Sequence, residues 1–396
     1  MRIALHDFAG HAFTLDLARE LARRDHQVDY IYFDGWLGSK GHLQLLSDDP
    51  AGLRLVPISI RQPFAKYSFV KRRSQELRYG RAVQKYLNQS HPEIVISGNS
   101  PLDPQRAVQQ AAFACGARFL YWLQDIQGLA MAHYLPQKHP VIGRLVAAWY
   151  AHLERKMLKR SDWVVCIADS FARFLDGIGV SGSHVAVIHN WAPKAEIRPA
   201  EKNNAWAVEH GLAARKVFLY AGALGLKHDP GLLVQLARTY VRDPRIAVVV
   251  ISEGLGADWL RDRQCAENLN NLIILPFQPF SRLAEVLAAG DVLISLIDTD
   301  ASQFSVPSKV LSYMAAGRPV LLSMPPSNLA AQIVQGSNSG IAVAPGDADG
   351  FLAAAARLMS DDALRMSYAA AARAYAEENF GVAKVADTFM AMIAKG

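Results

Sequence analysis

Short apolar segments alternate with longer amphipathic segments along the first half of the chain. The apolar segments are rich in Val, Ile and aromatic residues and have the length of buried strands. The amphipathic segments have helical spacing, as in residues 13–25, where Leu17 and Leu21 fall on one face. We predict strands at residues 1–8, 28–33, 53–58, 93–98, 118–123, 162–168 and 184–190. Strands that alternate with helices in this way predict a parallel sheet covered on both faces.

The same alternation restarts after a polar, proline-containing segment at residues 191–210, which we interpret as a linker. Further strands are predicted at residues 216–222, 246–252, 271–277, 291–297, 319–324 and 340–345, and helices at 231–241, 281–289, 309–316 and 350–376. The chain is therefore predicted to be an α/β protein with two doubly wound, Rossmann-like domains, at residues 1–192 and 193–375. Ligands of open α/β sheets bind beyond the carboxyl ends of the strands, so we expect a ligand-binding cleft between the domains.

The composition excludes several classes of protein. Of the 396 residues, 51% are hydrophobic and 20% are charged, which excludes a disordered chain. The cysteines, Cys115, Cys166 and Cys265, form no CxxC pair and suit a reducing compartment. The first residues already have the pattern of a strand, so no signal peptide is expected, and no apolar run reaches the roughly 18 residues of a transmembrane helix. We therefore expect a cytoplasmic protein.

Positive charge is concentrated in the first half of the chain. Residues 1–198 contain 25 Lys and Arg against 17 Asp and Glu, whereas the remainder contains 17 against 19. Between Arg61 and Leu87, eight basic residues accompany one acid, with aromatic and aliphatic residues interleaved. This stretch is either a helix with a solvated basic face or a segment that attracts anionic lipid or a diphosphate. Membrane contact is predicted for Lys71, Arg72, Arg73 and Arg78. No nucleic-acid motif accompanies the charge, so nucleic acid is not expected as a partner.

A glycine-rich turn follows the first predicted strand of the second domain. Gly222 and Gly225 allow backbone to approach a ligand, Lys227 adds a positive charge, and the N-terminus of a helix follows. These features together predict a diphosphate-binding site. Their spacing matches neither the Rossmann fingerprint nor the phosphate-binding loop of nucleotide triphosphatases.

A second anion-binding pattern lies farther along the chain. Ser308 is placed to cap a helix after Pro307, and Lys309 adds a charge beside it. Gly317 is placed to end that helix before the next strand. The alternative interpretation of Lys309 is a surface lysine in the first turn of a helix.

Several motifs together resemble a known family. In the second half these are YAGALGLKHD at 220–229, SEG at 252–254, LPFQP at 275–279 and VPSKVLSYMAAGRPVL at 306–321. In the first half, DFAGHAF at 7–13, WLQDI at 122–126 and VIHNWA at 187–192 agree with them. The chain resembles the retaining GT-B glycosyltransferases of family 4, of the type that assembles bacterial O-antigen, capsule and exopolysaccharide. This resemblance implies a GT-B fold, with a C-terminal helix at 376–396 that packs back on the first domain.

The resemblance also implies roles for particular residues. The donor diphosphate would be bound by Gly222, Lys227, Val306, Ser308 and Lys309. The nucleotide would be bound by Glu253, Gly254, Pro276, Phe277, Gln278 and Ser312. Gln124 and Asp125 would contact the transferred sugar, and with Lys227 they are the predicted catalytic residues. Gly10, His11 and Asn190 would line the acceptor side.

The sequence departs from the family at several positions. Ala223 stands where many members have arginine, Phe304 and Ser312 stand where the paired glutamates are usual, and Gln124 replaces a common histidine. Asp298 and Asp300 form the DxD pattern that binds metal in GT-A enzymes. In a two-domain GT-B protein we interpret this pattern as an exposed loop, and we expect no metal or other cofactor.

These observations predict transfer of a sugar, with retention, from a nucleotide-diphosphate donor. UDP is the expected nucleotide, and the expected acceptor is a polyprenyl-diphosphate-linked saccharide or an oligosaccharide. The protein would act at the inner face of the cytoplasmic membrane, on an anionic surface. Two alternatives remain open, namely a catalytically silent binding subunit with the GT-B fold and a sugar-nucleotide epimerase on the same fold.

Overall fold

The computed structural model describes residues 1–36, 40–65, 68–225 and 228–394, apart from the side chain of Lys138. The chain divides into two compact units. Unit 1 contains Met1–Asn190 and the segment that begins at Val382, and unit 2 contains Trp191–Gly381. The change of unit therefore falls two residues before the predicted boundary at residue 192.

Unit 1 is built on a parallel sheet. Over the described residues its strands are β1 (Arg2–Asp7), β2 (Gln27–Phe33), β3 (Leu53–Ile58), β4 (Ile94–Gly98), β5 (Arg118–Leu123), β6 (Trp163–Cys166) and β7 (Val185–Val187). They pair in the order β3-β2-β1-β4-β5-β6-β7. The central strands β1 and β4 align Ile3 with Ile94 and Leu5 with Ile96, and these side chains are buried. Burial on both faces explains the apolar runs in the sequence.

Helices cover this sheet. They are α1 (Ala12–Arg23), α2 (Phe69–Ser90), α3 (Leu102–Ala114), α4 (Gln127–Lys138), α5 (Pro140–Arg160) and α6 (Asp169–Gly177). The amphipathic pattern seen in α1 is confirmed, since Leu17 and Leu21 are fully buried. Helices α4 and α5 follow each other across the short turn at His139 and share the crossover from β5 to β6.

Unit 2 repeats this plan with another parallel sheet. Its described strands are β8 (Lys216–Ala221), β9 (Ile246–Ile251), β10 (Leu272–Leu275), β11 (Val292–Leu296), β12 (Val320–Ser323) and β13 (Gly340–Val343), in the order β10-β9-β8-β11-β12-β13. Its described helices are α7 (Ala205–Glu209), α8 (Gly231–Tyr240), α9 (Leu255–Glu267), α10 (Leu283–Ala289), α11 (Lys309–Ala315), α12 (Leu329–Gly336), α13 (Ala348–Ser360) and α14 (Asp362–Asn379). Strand β9 is buried along its whole length.

The end of the chain differs from the predicted single helix at 376–396. Helix α14 ends at Asn379, Phe380 and Gly381 interrupt it, and a separate C-terminal helix covers Val382–Ala394. The C-terminal helix packs on unit 1, where Asp387 accepts a 2.7 Å hydrogen bond from Arg24 and the Phe389 ring meets Trp122 edge-on at 5.0 Å. Unit 2 ends at Gly381, so the break between the two helices coincides with the change from unit 2 to unit 1.

Both sheets have a topological switch point, where crossovers leave in opposite directions and a crevice opens beyond the strands. In unit 1 it lies between β1 and β4, and in unit 2 between β8 and β11. The described helices include none that has both the length and the apolar content to span a bilayer.

Candidate functional site

The carboxyl end of β8 brings Gly222 against Lys309, although these residues are far apart in the sequence. Gly222 has φ +136°, and a Cβ built on it would stand 3.1 Å from Cε and 3.3 Å from Nζ of Lys309. Glycine is required here because any other residue would have to adopt a disfavoured backbone conformation, and its side chain would displace Lys309. Two of the five residues predicted to bind diphosphate are thus neighbours at the switch point of unit 2.

The Lys309 ammonium is held in place by the strand that precedes the turn. Its Nζ donates a 2.5 Å hydrogen bond to the Tyr220 hydroxyl, lies 3.8 Å from the centre of the Tyr220 ring, and is 3.4 Å from the carbonyl oxygen of Ala223. The Tyr220 hydroxyl in turn donates to that same carbonyl at 2.7 Å. Burial raises the pKa of Tyr220 well above its ordinary value, so the phenol stays neutral beside the amine. The sequence analysis did not assign Tyr220 a role.

The rest of the glycine-rich turn is partly ordered by a histidine. The Nδ1 atom of His228 accepts a 2.8 Å hydrogen bond from the amide of Gly225. His228 is buried, and Asp229, which follows it, has φ +40°. The amide of Gly225 is therefore occupied within the turn. Lys227, another predicted diphosphate ligand, lies outside the described residues.

The start of α11 differs from the prediction that the Ser308 side chain caps this helix. Ser308 occupies the N-cap position, but its side chain makes no capping hydrogen bond, because its backbone is already helical (φ −62°, ψ −22°). Asn328 holds the loop before this helix instead. It donates to the hydroxyl of Ser302 at 2.9 Å and to the carbonyl oxygen of Ser305 at 3.2 Å. Asn328 is buried and also caps α12 through the amide of Ala330.

The two other residues predicted on this segment are partly exposed. Val306 lies in the loop, between Ser305 and Pro307, and Ser312 lies one turn into α11. Gly317 has φ +63° and follows the end of α11, which confirms the predicted stop.

The turns after β9 and β10 are linked through the residues predicted to bind the nucleotide. The Glu253 carboxylate accepts a 3.1 Å hydrogen bond from the amide of Phe277. Gly254 has φ +92° and starts α9, a conformation that glycine adopts readily. Gln278 accepts from the indole nitrogen of Trp206 at 3.0 Å and donates to the carbonyl of Pro276 at 2.9 Å. These residues form one connected edge of the unit 2 sheet, and the amide of Phe277 is engaged within it.

The DxD residues lie after β11. Asp298 accepts a 2.6 Å hydrogen bond from the amide of Ala301, so its carboxylate closes a short turn. Asp300 is exposed. Within the described ranges, no cluster of three or more His, Cys, Asp or Glu side chains could hold a metal ion.

In unit 1, the switch point is occupied by an aspartate that the sequence analysis did not single out. Asp7 ends β1 and is fully buried. Its carboxylate accepts hydrogen bonds from the amides of Ala9 at 3.1 Å and His11 at 2.8 Å, and also from the Thr14 hydroxyl. Gly10, at φ +71°, lets the chain turn tightly between Asp7 and His11.

The His11 ring makes an ion pair with Asp7, at 3.1 Å from Nδ1 to Oδ2, while keeping 31% of its side chain exposed. Burial opposes ionisation of Asp7, but the charge on His11 and the hydrogen bonds from His11 and Thr14 lower the pKa of Asp7 below its ordinary value. Burial also lowers the pKa of His11, but the charge and hydrogen bond of Asp7 and the charge on Asp125 together raise it above its ordinary value. The pair presents a partly exposed imidazole at the start of α1, and Asp7 favours the protonated form of that ring.

Two of the three predicted catalytic residues, Gln124 and Asp125, follow the end of β5. Gln124 is buried and pairs with Asn190 through two reciprocal amide hydrogen bonds, 3.1 Å and 2.6 Å long. Asp125 follows and is exposed. The amides that begin α4, those of Gln127 and Gly128, bind the carboxylate of Glu154 at 3.0 Å and 2.9 Å, so Asp125 is not the residue that caps this helix.

The sequence analysis gave Glu154 no role, yet its carboxylate holds the start of α4. It lies in α5, is 1% exposed, and belongs to a helix whose other charged residues are all basic. Burial raises the pKa of Glu154 to about 7, although its two amide bonds oppose that shift. A sequence signal existed, since Glu154 is the only acid in a strongly basic helix.

The basic residues predicted to contact a membrane divide into two groups. Arg72 and Arg73 are engaged with buried acids, at 2.6 Å from Glu76 and 2.9 Å from Asp103. Lys71 and Arg78 are exposed. Arg72 therefore makes its ion pair within α2, whereas Arg73 links α2 to α3.

Comparisons with known proteins cover both halves of the chain. Residues 11–194 match the family model "Glycosyltransferase Family 4", and residues 215–361 match the model "Glycosyl transferases group 1". A relative from Escherichia coli (strain K12), named as the colanic acid biosynthesis glycosyl transferase WcaI, is 25% identical over 205 residues. That alignment covers 51% of this chain and 50% of WcaI, so the match spans about half the length of the curated relative.

Solved structures share the fold along the whole chain. HepE from Anabaena, crystallised with UDP-glucose, superposes with a TM-score of 0.72 at 16% identity and 100% coverage of both chains. Sucrose-phosphate synthase from Thermosynechococcus elongatus superposes with a TM-score of 0.76 at 15% identity, again with 100% coverage of both. The predicted fold is thereby confirmed as two Rossmann-like domains of the GT-B type.

Proposed function

We propose that this chain, whose two halves belong to glycosyltransferase families and which has the GT-B fold, is a retaining glycosyltransferase. It transfers a sugar from a UDP-sugar to a lipid-linked or saccharide acceptor in the synthesis of a cell-surface polysaccharide. The observation that carries this proposal is the position of Lys309, whose ammonium lies over the backbone of Gly222 at the switch point of unit 2. UDP-glucose in the HepE structure supports the choice of donor.

The Lys309 ammonium supplies the electrostatic term of the proposed reaction. Cleavage of the sugar–diphosphate bond creates an oxocarbenium-like carbon and places negative charge on the leaving diphosphate. A fixed cation at that oxygen stabilises the transition state without reorganisation, which is commonly the largest catalytic contribution. The neutral Tyr220 hydroxyl fixes the cation without cancelling its charge.

Retention requires the acceptor to attack the face from which the diphosphate leaves. In the proposed step the acceptor oxygen forms a bond to the anomeric carbon, the bond to the diphosphate oxygen breaks, and the departing phosphate takes the acceptor's proton. This step needs no protein nucleophile and no metal, so we propose a metal-independent reaction. Asp125, exposed at the end of β5, orients the sugar or the acceptor.

The acceptor side is proposed for unit 1. The Asp7 and Asp125 carboxylates favour the protonated form of His11 at the switch point, and that form suits a phosphate-bearing acceptor such as a polyprenyl-diphosphate-linked saccharide. The relative named for colanic acid biosynthesis supports a role in polysaccharide assembly. A lipid-linked acceptor would bring the protein to an anionic membrane.

Binding of UDP and UDP-sugars tests the donor proposal first. A specific nucleotide stabilises the fold by about 2.7 kcal/mol at a hundredfold excess over its dissociation constant, which raises the melting temperature. We expect UDP and one UDP-sugar to raise the melting temperature. We also expect the protein to hydrolyse that UDP-sugar in the presence of EDTA, because the proposed reaction needs no metal. Proton NMR of the product then shows whether the anomeric configuration is retained.

Contrary outcomes are distinct. A nucleotide shift without any turnover would favour the catalytically silent binding subunit. Conversion of a UDP-sugar into its epimer, without transfer, would favour the epimerase. Inverted product would contradict retention while leaving the transferase proposal intact.

A further inference from the structure

The outer face of α5 is apolar in its first half. Val141, Ile142, Leu145 and Trp149 are 73%, 69%, 68% and 54% exposed, respectively. These residues recur at spacings of three and four, so they lie together along one side of the helix. Singly exposed apolar residues are ordinary, but four large ones on one helix face form a patch.

This patch lies opposite the side of α5 that faces the core. Gly143, Ala147 and Tyr150 are buried, and they alternate with the exposed residues along the same turns. Helix α5 therefore has an apolar inner face that packs on unit 1 and an apolar outer face that does not.

The second half of the outer face is basic. The exposed residues there are His152, Arg155, Lys156, Lys159 and Arg160. The one acid of the helix, Glu154, points inward and binds the amides that begin α4. The exposed charge along α5 thus has a single sign, and most of it lies after the apolar patch.

The start of α2 is also apolar and exposed. Phe69 and Val70 are exposed at its first turn. One turn later Arg73 donates a 3.1 Å hydrogen bond to Tyr150 of α5, and both side chains share the buried carboxylate of Asp103. This contact joins α2 to the inner side of α5.

We propose that the outer face of α5 docks on an anionic lipid surface. Val141, Ile142, Leu145 and Trp149 enter the interfacial region, and the basic half of the helix faces lipid phosphates. Charge complementarity selects this occupant, because an anionic bilayer offers an apolar layer beneath a negative surface, in the arrangement that α5 presents. The inference deepens the membrane location in the proposed function and assigns the contact to α5, since Arg72 and Arg73 of α2 are engaged with buried acids.

Vesicle binding by the full-length protein tests the surface directly. The vesicles contain equal parts of phosphatidylglycerol and phosphatidylcholine, with pure phosphatidylcholine as the comparison. We expect the double variant Ile142→Ser, Leu145→Ser to bind the anionic vesicles about tenfold more weakly than the unsubstituted protein, because two large apolar side chains are lost from the interface. The variant Lys156→Glu, Lys159→Glu should lose the preference for anionic vesicles.

A matched control separates this effect from a general loss of surface hydrophobicity. Val208 and Leu255 of unit 2 are 61% and 60% exposed, so Val208→Ser, Leu255→Ser removes similar apolar area elsewhere. This control should bind as the unsubstituted protein does. Trp149 supplies a local probe, since its emission should shift to the blue with anionic vesicles and the shift should vanish in Trp149→Phe.

Equal binding by the α5 double variant and its control would overturn the proposal, as would vesicle binding without a Trp149 shift. The protein could instead fail to bind vesicles and form a self-association or a protein complex that Ile142→Ser, Leu145→Ser abolishes. That result would assign the patch to a protein partner and would also overturn the proposal. Hydrolysis of soluble UDP-sugar, measured in the same variants, should be unchanged. Vesicle binding without hydrolysis of the UDP-sugar would support the docking surface and contradict the transferase proposal. Hydrolysis without vesicle binding would support the transferase proposal and contradict the docking surface.

Discussion

The Nδ1 atom of His11 lies 3.1 Å from the carboxylate of Asp7, with the histidine reaching solvent and the aspartate fully buried. The carboxylate also binds the backbone amide of His11, so the ring and the start of α1 are fixed by the same group. A buried carboxylate thus holds a partly exposed imidazole at the switch point of unit 1. Charge at this position is the property on which the proposed acceptor site depends.

We expect Asp7→Asn to lower the pKa of His11, because the substitution removes the charge and weakens the hydrogen bond that raise it. In the unsubstituted protein the raised pKa adds stability that is fully present below the ordinary value of 6.5 and is lost as the pH rises through the folded value. In Asp7→Asn that contribution should shrink. The titration of the His11 ring, followed by NMR, measures the change.

Thr14→Ala is the matched control for this prediction. It removes one hydrogen bond to Asp7 but leaves the carboxylate charge beside His11. His11 should therefore titrate in Thr14→Ala close to its position in the unsubstituted protein. A His11 pKa that is the same in Asp7→Asn and in the unsubstituted protein would show that the Asp7 charge does not control the ring.

Periodicity was sufficient to predict most of the fold. Strand β3 and strand β5 were predicted with their observed bounds, since each is a short apolar run between clear breaks. Helix α3 begins at Leu102 and has Pro104 in its first turn, where proline is tolerated because the first backbone amides of a helix have no partner within it. Helix α9 was not predicted, as it buries only Gly256, Ala257 and Leu260 and has a weak apolar face.

The predicted helix at 350–376 is instead two helices. Asp361 ends α13, and its carboxylate caps α14 by accepting a 2.9 Å hydrogen bond from the amide of Leu364. The apolar spacing continues across this junction, so periodicity alone did not reveal it. The available signal was Asp361 itself, because aspartate is favoured at the N-cap position of a helix.

The candidate site was predictable at the level of segments but not of side-chain partners. Lys309 and Gly222 could be assigned to one ligand from their motifs, but the contact of Lys309 with Tyr220 depends on how β8 and α11 meet in space. The amide pair of Gln124 and Asn190 joins residues that are 66 positions apart. For Asp7, the available signal was an aspartate at the end of a buried strand, four residues before a histidine that starts a helix.

We expect Lys309→Ala to lower turnover by about two orders of magnitude, by loss of the cation that stabilises the departing diphosphate. Lys309→Arg should retain part of the activity, because it keeps the charge at the carboxyl end of β8. Lys384→Ala, which removes an exposed lysine from the C-terminal helix, is the control for net charge and should be neutral. Rates of donor hydrolysis at saturating UDP-sugar measure the effect.

Near-normal turnover in Lys309→Ala, with a folded protein by circular dichroism, would remove the diphosphate assignment of this residue. Lys227→Ala provides a second test of the same charge requirement. We expect it to lose activity by a similar factor, as predicted from its place in the glycine-rich turn.

Glu154 should make the stability of unit 1 depend on pH. Its pKa is about 7 in the folded chain and 4.5 ordinarily, so the folded state holds the proton more tightly. The resulting stabilisation is fully present below pH 4.5 and is lost as the pH rises through about 7, an effect on the order of 3 kcal/mol. Glu154→Gln should remove this dependence, because glutamine stays uncharged.

Pulse proteolysis in urea, with fragments of unit 1 identified by mass spectrometry, measures this stability at each pH. Asp176→Asn is the control, since Asp176 is an exposed carboxylate of the same unit. The unsubstituted protein and Asp176→Asn should lose stability in parallel as the pH rises from 4.5 to 7, while Glu154→Gln changes less. Parallel curves for all three proteins would contradict a raised pKa at Glu154.

The reciprocal amide pair of Gln124 and Asn190 should appear as an energetic coupling. Each alanine variant, Gln124→Ala or Asn190→Ala, leaves its partner amide without two hydrogen bonds, whereas the double variant removes both groups together. We therefore expect the double variant to be less destabilised than the sum of the single variants by about 1 kcal/mol. The same proteolysis measurement on unit 1 completes the cycle. A measured coupling would mean that Asn190 positions the segment that presents Asp125. Both single variants should then also slow transfer more than they weaken donor binding. Strict additivity in stability would show that the two amides act independently.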